Sequence, residues 1–587
     1  MSHVASLLSL VTAAACATAA PPEGHRLPEV IPDRIAVVQP TRDTVDALLA
    51  TLSTRQKVAQ LVMPWLLGDD VADTDPTMVK AYGWVEDLEL GGIIISTGTP
   101  SAIVEKLNRL QRRAPLPLLV AADFEGGITM RVRAGTPFPT QMGVAAGGSL
   151  EDAFEMGRVT ASEGRALGVH LAFAPVADVN NNPANPIINT RSFGSDPRDV
   201  SRYVRATIEG LRAGGMLSTA KHFPGHGDTD TDSHLSLPTI TAPWSRFDTL
   251  ELVPFRAAVA AGVDAVMSAH IALPALDGGA ARPGTLSPTI LTGILRDSLG
   301  FQGLITTDAL DMGAIAREIG PEEAVVRAFE AGSDLLLMPA DPAKAVDAMV
   351  DAVESGRISR ARLDASVRRI LEFKQRMGLF RERLVDPAAA RAAIRTPAAV
   401  AAARAATQRS LVLLTDSLGT VRRLRQGPAT VTVVTVADGS STLGRDMIAG
   451  LRAAGWTVHE ARVPTSPTAA QLGAAEREMA KAPVTILATA VRWGQSQGRI
   501  GLVPATEQAL GRLTRHGPTV LVSFGSPYII SQVPTAASYI MAWAATEFAE
   551  QAVARALTGQ AAITGTSPIA IPPTFPLRTG VRLGQVP

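Results

Sequence analysis

Apolar runs of strand length recur eight times between residues 58 and 338, and amphipathic stretches of helix length separate most of them. The runs cover residues 58–65, 91–96, 116–122, 169–176, 218–222, 265–270, 304–307 and 334–338. Parallel strands need helical crossovers, and eight of them can close into a ring. The pattern therefore predicts an α/β fold with a (β/α)8 barrel over residues 41–385.

A second set of runs follows the barrel, at residues 411–414, 430–436, 484–490, 519–523 and 539–543. Helical patterns lie between several of them, which predicts a smaller doubly wound α/β sandwich domain over residues 410–587. Residues 386–409, rich in Ala and Arg, have helical propensity and are expected to link the two domains. No glycine-rich phosphate-binding loop follows these runs, so a nucleotide site is not expected here.

The first 20 residues are typical of an export segment. Residues 4–15 form a run of apolar and small side chains that is too short to span a bilayer. Cys16, the only cysteine, follows three alanines in a degenerate lipobox, which makes a lipid anchor one expected outcome. Ordinary cleavage at the segment 17–19 is the other. Residues 21–40 would form a tether, no later run is expected to span a membrane, and the protein is expected to be periplasmic or extracellular.

The densest cluster of titratable groups lies between Lys221 and His234, where three histidines and three aspartates occur in a chain with nine histidines. A calcium loop is one interpretation, but Ser233 and Thr239 replace the Gly and Glu that such a loop needs. A zinc site is another, although no His-Glu-x-x-His helix or cysteine pair accompanies the histidines. The third is proton transfer by Asp232 and His234, which share one face of an extended segment. A solvated polar loop is the remaining alternative.

Two further carboxylates follow apolar runs. Asp123 ends the run at 116–122, and Asp308 ends the run at 304–307. In a barrel both residues lie at the carboxyl ends of strands, where barrel enzymes place their active sites. Asp308 can be a nucleophile or a helix N-cap. Asp311 is its rival as nucleophile and is expected in the first turn of the next helix.

The stretch from Lys221 to Gly227, followed by Asp232-Ser233-His234, resembles the signature loop of glycoside hydrolase family 3 β-N-acetylglucosaminidases. This branch includes the bacterial peptidoglycan-recycling enzyme. Residues 303–312 resemble the family's nucleophile motif. The resemblance implies a retaining exo-glycosidase in which Asp308 is the nucleophile and His234, paired with Asp232, is the acid/base. It also implies that no metal or organic cofactor takes part.

Residues 122–131 resemble the sugar-binding turn of the same family. The residues that the resemblance assigns to sugar binding are Asp123, Arg131, Arg191, Lys221 and His222. Such polar side chains select a sugar through hydrogen bonds to its hydroxyls. Phe124 and Ile128 depart from the recycling enzymes, which usually carry polar or basic residues there. Asp178 and His270, which lie at the ends of other strands, are expected to be satisfied polar residues of the core or, alternatively, partners that support residues of the site.

The implied reaction is hydrolysis of terminal, non-reducing β-linked N-acetylglucosamine, from peptidoglycan fragments or chitin oligosaccharides. Three alternatives stay open: a phosphorylase, because a neutral imidazole does not repel an incoming phosphate; a β-glucosidase; and a non-catalytic sugar-binding lipoprotein. The second domain is expected to be structural or to assist binding of the leaving group. The 55 basic and 55 acidic side chains balance without a charged block, so nucleic acid is not an expected partner.

Overall fold

The computed structural model describes residues 42–316, 319–491 and 500–586. The predicted export segment, the tether and Cys16 lie outside the described residues. The barrel region contains strands β1 (Val62–Met63), β2 (Trp65–Leu66), β3 (Gly92–Ile95), β4 (Leu119–Ala122), β5 (Leu171–Ala172), β6 (Thr219–Phe223), β7 (Ala265–Ser268), β8 (Leu304–Thr306) and β9 (Leu336–Leu337). Each strand overlaps one of the predicted apolar runs, and β1 and β2 share the first run.

Parallel pairing joins these strands into a ring. β2, β3, β4 and β5 pair in that order, β6, β7 and β8 form a second series, and β1 pairs with β9. Isolated parallel bridges from Leu171 to Leu217 and from Thr306 to Leu335 connect the remaining neighbours. β1 and β2 are one strand interrupted at Pro64, which has no N–H to donate to a ladder. The eight-stranded parallel barrel is therefore confirmed.

The pairing decides which side chains point into the barrel. Ile94 pairs with Ala121, and Lys221 pairs with Met267. Paired residues of parallel strands share a face, and side chains alternate along each strand. Asp123, two residues beyond Ala121, therefore lies on the inner face at the carboxyl end of β4. Polar groups can collect at this end of the ring while its interior stays apolar.

Helices connect the strands, and several begin at a proline that precedes their apolar pattern. Pro100–Arg113 and Pro197–Ala213 each start at a proline, preceded by the capping side chains of Thr99 and Asp196. Proline suits the first helical position because its missing N–H would be unpaired there anyway. The other α-helices of this region are Arg42–Thr51, Thr54–Ala59, Pro76–Glu86, Gln141–Ala146, Leu150–Ala166, Trp244–Thr249, Leu252–Ala260, Gly313–Ala316, Pro321–Ala331, Pro342–Glu354 and Arg360–Arg376. Short 3-10 helices cover Ile128–Met130, Asn189–Arg191 and Gly284–Leu286, and a π-helix covers Thr289–Ser298.

The second sheet contains β10 (Val412–Asp416), β11 (Thr430–Val436), β12 (Thr457–Val463), β13 (Val484–Thr489), β14 (Thr519–Ser523) and β15 (Ser538–Met541), in the order β10-β15-β14-β13-β11-β12. Only the β10–β15 pair of this sheet is antiparallel. Its helices are Thr420–Leu424, Arg445–Ala453, Ala469–Met479, Pro504–Leu513, Ile529–Gln532 and Glu547–Leu557. This arrangement confirms the predicted α/β sandwich. β12 was not predicted, because an edge strand with alternating exposed polar residues contains no apolar run.

The segment predicted as a helical linker forms two helices, Pro387–Ala393 and Pro397–Ser410. Hydrogen bonds connect the second sheet region to the rest of the chain: the Trp543 Nε1–H donates to the carbonyl of Ser410 over 2.7 Å, and Asn180 Nδ2 donates to the Tyr528 hydroxyl over 2.8 Å. In the described part of the chain, none of the helices has the length and apolar character needed to cross a membrane.

Candidate active site

A cavity of about 290 Å³ opens where the barrel strands end. Seven of the eight predicted site residues line it: Asp123, Arg131, Arg191, Lys221, His222, His234 and Asp308. The eighth, Asp232, is 3% exposed and contacts His234. Residues from positions 123 to 308 of the chain thus meet in one small cavity, because every strand of a parallel barrel ends at the same rim.

Asp123 is held between two cations. Lys221 Nζ lies 2.9 Å from Asp123 Oδ1, and Arg131 Nη2 lies 2.9 Å from Oδ2. Burial alone would raise the pKa of Asp123, but the positive charges of Lys221 and Arg131 outweigh burial and lower the pKa. The carboxylate is therefore ionised and locked in orientation, as a group that accepts hydrogen bonds from sugar hydroxyls must be.

Glu125 is a second carboxylate of the site and, unlike Asp123, it is buried; no role had been predicted for it. Arg191 donates to both of its oxygens, over 2.9 Å and 2.8 Å, and Lys221 Nζ lies 2.8 Å from Oε1. Burial would raise the pKa of Glu125, but the charges of Arg191 and Lys221 lower it to about 2. Its position two residues after Asp123, on the same face of an extended segment, is the signal that could have identified it.

Two neighbouring side chains determine which tautomer His222 adopts. Its Nδ1 lies 2.7 Å from Asp178 Oδ2, and its Nε2 lies 3.2 Å from Arg191 Nη2. A guanidinium can only donate, so Nε2 accepts and Nδ1 carries the proton that is donated to Asp178. Asp178 also accepts the backbone N–H of His226 over 2.7 Å. For Asp178 the alternative expectation, a partner that supports a residue of the site, therefore fits, because Asp178 orients the His222 side chain of the cavity.

Lys221 and His222 are consecutive residues of β6, yet both line the cavity. A regular strand would send consecutive side chains to opposite faces. The register of β6 against β7 shifts between Lys221 and Phe223, and this irregularity allows both side chains to face inward. The local break in the ladder thus supplies the site with one additional polar group.

Asp308 follows β8 and lines the cavity. The backbone N–H of Ala309 donates to Asp308 Oδ1 over 2.8 Å. Burial would raise the pKa of Asp308, but the nearby imidazoles of His270 and His222, and the Ala309 hydrogen bond, lower it. Asp308 is consequently ionised near neutral pH. His270 itself is 1% exposed and bonds to Thr285 and to the Ala309 carbonyl, as expected of a satisfied core residue.

Asp311 also lines the cavity, but its surroundings differ from those of Asp308. The helix that follows begins at Gly313, so the prediction of Asp311 in its first turn is wrong. A side chain at position 313 would come within 2.8 Å of the His234 carbonyl, which explains why glycine stands there. Burial and the charge of Asp308 raise the pKa of Asp311.

The loop that carries Asp232 and His234 is tied to the barrel. His234 Nδ1 lies 2.8 Å from Asp232 Oδ1, which also accepts the His234 backbone N–H over 2.9 Å. The side chain of His226 bonds to both ends of the loop, to Thr229 Oγ1 over 2.8 Å and to Ser233 Oγ over 3.1 Å. Burial and the neighbouring His222 lower the pKa of His226 to about 4. His226 therefore stays neutral and can fasten this loop over a wide pH range.

The acidic and imidazole groups of this cluster are engaged by different partners. Asp228 pairs with Arg246 over 2.8 Å, Asp232 contacts His234, and His226 contacts two hydroxyls. Among the residues that the structure describes, no three histidine, cysteine or acidic side chains are placed to hold a metal ion.

Residues 53–373 match the family model described as the glycosyl hydrolase family 3 N-terminal domain. The chain belongs to glycoside hydrolase family 3. Family membership makes it a glycoside hydrolase, and the matched range covers the whole barrel, including every residue of the cavity described above. The resemblance read from the three motifs is thereby confirmed at the level of the family.

Similar proteins extend over both parts of the chain. A β-N-acetylglucosaminidase/β-glucosidase of Cellulomonas fimi is 32% identical over 502 residues, which are 82% of this chain and 88% of that protein. The solved structure of a family 3 β-N-acetylglucosaminidase from Paenibacillus sp. strain FPU-7 has a TM-score of 0.77 and 32% identity, covering 90% of this chain and all of that one. The β-glucoside phosphorylase BglX has a TM-score of 0.81 at 27% identity, over 90% of this chain and 96% of its own.

Proposed function

We propose that the protein is a retaining exo-β-N-acetylglucosaminidase. The observation that carries the proposal is that an ionised carboxylate, Asp308, and an imidazole held by a carboxylate, His234, line one small cavity. Retaining hydrolysis needs a nucleophile and a separate group that transfers protons. The proposal is supported further by the names of the Cellulomonas and Paenibacillus relatives.

In the first step the Asp308 carboxylate attacks the anomeric carbon, and the bond from that carbon to the leaving oxygen breaks. A covalent glycosyl-enzyme results, and the leaving oxygen takes a proton from His234. In the second step water attacks the same carbon from the face that the leaving group has vacated, and His234 takes the proton from that water. Asp308 leaves as a carboxylate, so the sugar keeps its β configuration.

Asp232 acts on this reaction through His234. Its Oδ1 accepts from the Nδ1 atom of His234, so Nε2 is the nitrogen available to transfer a proton to and from the substrate. The same oxygen accepts the His234 backbone N–H, which restrains the angle between the imidazole and the loop.

The polar wall of the cavity would hold the terminal sugar. Asp123, Glu125, Arg131, Arg191 and Lys221 bond to one another before any ligand arrives, so their donors and acceptors are already oriented. A site built this way discriminates strongly against sugars that lack a matching hydroxyl or amide, because a buried polar group would lose its partner.

The proposed substrates are glycans that end in β-linked N-acetylglucosamine, such as peptidoglycan fragments and chitin oligosaccharides. We also propose that residues 1–20 direct export, with Cys16 as the site of lipid attachment if the lipobox is used, and that residues 41–385 and 410–587 are the two domains. The contact of Tyr528 with Asn180 supports a structural role for the second domain.

A second candidate activity is phosphorolysis, with glucosides as additional substrates. The observation that favours it is the acid/base itself, since a neutral imidazole repels phosphate less than a carboxylate does. The β-glucoside phosphorylase BglX shares the fold, and the name of the Cellulomonas relative includes β-glucosidase. Phosphorolysis would yield a sugar phosphate in place of the free sugar.

Hydrolysis of p-nitrophenyl β-N-acetylglucosaminide and of the corresponding β-glucoside tests these proposals, with wild type, Asp308→Asn and His234→Ala. We expect turnover of the first substrate that Asp308→Asn abolishes. His234→Ala should lose less on this good leaving group than on chitobiose, because nitrophenolate leaves without a proton. A parallel assay in phosphate buffer identifies the product: hydrolysis yields N-acetylglucosamine, and phosphorolysis yields N-acetylglucosamine 1-phosphate.

The outcomes differ for each proposal. Preference for the glucoside would contradict the assigned sugar, and a sugar phosphate as main product would replace hydrolysis by phosphorolysis. Failure of folded wild type to turn over either substrate would favour the sugar-binding alternative. Full activity of Asp308→Asn would refute the assigned nucleophile.

A further inference from the structure

The cavity has room for little more than one sugar ring. At about 290 Å³ it lies at the lower end of the size range of small-ligand sites. If the terminal sugar occupies it, as proposed above, then the next unit of the glycan must lie at the mouth. The side chains at this mouth therefore decide which leaving groups the enzyme accepts.

Strand pairing places Trp65 on the inner face of the barrel, near the carboxyl end of the first strand. Trp65 pairs with Ile94, which lines the cavity, and paired residues of parallel strands point the same way. Met63, two residues earlier, pairs with Leu337, which also lines the cavity. The pairings on the two sides of the strand thus agree that the Trp65 side chain points to the inner face of the barrel.

The exposure of Trp65 is unusual for this position. Inward side chains of a closed barrel normally fill its interior, and Ile94 and Leu337 are only 3% and 2% exposed. Trp65 is 39% exposed although it is the largest apolar side chain on its strand. An aromatic ring at this end of the barrel that the protein leaves uncovered presents a flat apolar surface to a ligand that extends out of the cavity.

We propose that Trp65 is the stacking surface for the sugar ring next to the scissile bond, on the leaving-group side. One face of a pyranose ring carries mainly C–H groups, and covering an indole with such a face removes apolar area from water on both partners. The Trp65 subsite therefore favours substrates whose leaving group is itself a sugar, such as β-linked N-acetylglucosamine oligomers. This inference rests on the proposed exo-glycosidase activity and adds the recognition of its second sugar.

The test compares chitobiose with methyl β-N-acetylglucosaminide. Both substrates lose an alcohol, but only chitobiose places a ring at the mouth. For Trp65→Ala we expect kcat/KM on chitobiose to fall roughly fivefold, which corresponds to about 1 kcal/mol of binding. The value on the methyl glycoside should stay within about twofold of wild type. Trp65→Phe, which keeps a flat ring, should recover most of the loss, and Trp65→Leu, which keeps bulk without a flat ring, should not.

Trp244→Ala is the matched control, since Trp244 is 45% exposed but begins the helix Trp244–Thr249 instead of ending a barrel strand. It should leave both substrates unchanged. Equal losses on the two substrates in Trp65→Ala and Trp65→Leu, or no loss on chitobiose, would overturn the Trp65 subsite while leaving the proposed activity intact. A folded wild type that hydrolyses neither substrate would instead overturn the proposed activity, and the subsite with it.

Discussion

Replacing Glu125 with glutamine tests the electrostatic account of the cavity most directly. The variant keeps the size of the side chain and removes its charge. Glu125 is 6% exposed and contacts both Arg191 and Lys221. The substitution would leave a buried guanidinium without its bidentate partner, which is costly because a buried cation loses its compensation.

The size of the effect follows from the pKa of Glu125. The pKa is about 2 in the folded protein, against 4.5 for the ordinary side chain. A folded pKa below the unfolded one adds stability at pH values above the unfolded pKa, and this stability is lost as pH falls toward the folded pKa. The difference corresponds to about 3 kcal/mol at neutral pH and roughly 2 kcal/mol at pH ~3.5.

Thermal unfolding, followed by calorimetry, measures the loss of stability in Glu125→Gln relative to wild type. For the proposed barrel domain, residues 41–385, a loss of about 3 kcal/mol corresponds to a fall in melting temperature of roughly 4 °C. We therefore expect Glu125→Gln to melt at a lower temperature than wild type at pH 7, and by a smaller margin as pH is lowered from 4.5. The Michaelis constant for p-nitrophenyl β-N-acetylglucosaminide should rise as well, because Arg191 loses its fixed orientation.

Glu86→Gln is the control for the loss of one negative charge. Glu86 forms an ion pair with Arg113 at a side-chain exposure of 41%, and exposed pairs contribute less than about 1 kcal/mol. Its melting temperature should fall by about 1 °C or less. If Glu125→Gln shifts the melting temperature no more than Glu86→Gln, then the Glu125 network does not stabilise the site and the reasoning is refuted.

Three further variants address the residues around the reacting groups. Asp178→Asn turns one of two acceptor oxygens into a donor, so either His222 Nδ1 or the His226 N–H loses its acceptor. KM should rise by roughly ten- to hundredfold with a smaller change in kcat; an unchanged KM would contradict the role of Asp178. His226→Ala frees the Asp232 loop by removing the bond to Ser233, and kcat/KM on chitobiose should fall roughly tenfold, more than on the nitrophenyl glycoside; equal losses would mean that proton transfer is not affected. Asp311→Asn removes a negatively charged group from the cavity wall, so an incoming phosphate is repelled less when it attacks the glycosyl-enzyme. The ratio of sugar phosphate to free sugar in phosphate buffer should therefore rise roughly three- to tenfold. A product ratio does not depend on the amount of folded enzyme, and an unchanged ratio would exclude an effect of the Asp311 charge.

The periodicity of apolar residues was sufficient to predict the barrel and the second sheet, because both consist of buried parallel strands whose sequences are nearly continuous apolar runs. β12 was not predicted because it lies at the edge of its sheet and alternates exposed polar side chains with buried ones, so that it contains no apolar run. Apolar patterns also do not mark helix starts such as Pro100 and Pro197, since a proline at the first position belongs to the helix but not to its apolar face.

The motifs around Asp123, Lys221, Asp232 and Asp308 could be read from the sequence because each is a short local pattern of unusual residue types. The roles of Glu125 and Asp178 could not be read this way. Glu125 acquires its significance from Arg191, 66 residues away, and Asp178 from His222, 44 residues away. Such pairs form only when strands that are distant in the chain end side by side.

What the sequence determined by itself is therefore the fold class and the chemical identity of the predicted reacting groups. The tertiary structure decided their orientation and their environment: which carboxylates are paired with cations, which nitrogen of His222 carries the proton, and which way Trp65 points. The physical reason is that burial and charge pairing depend on distances between strands, and only strand register sets those distances.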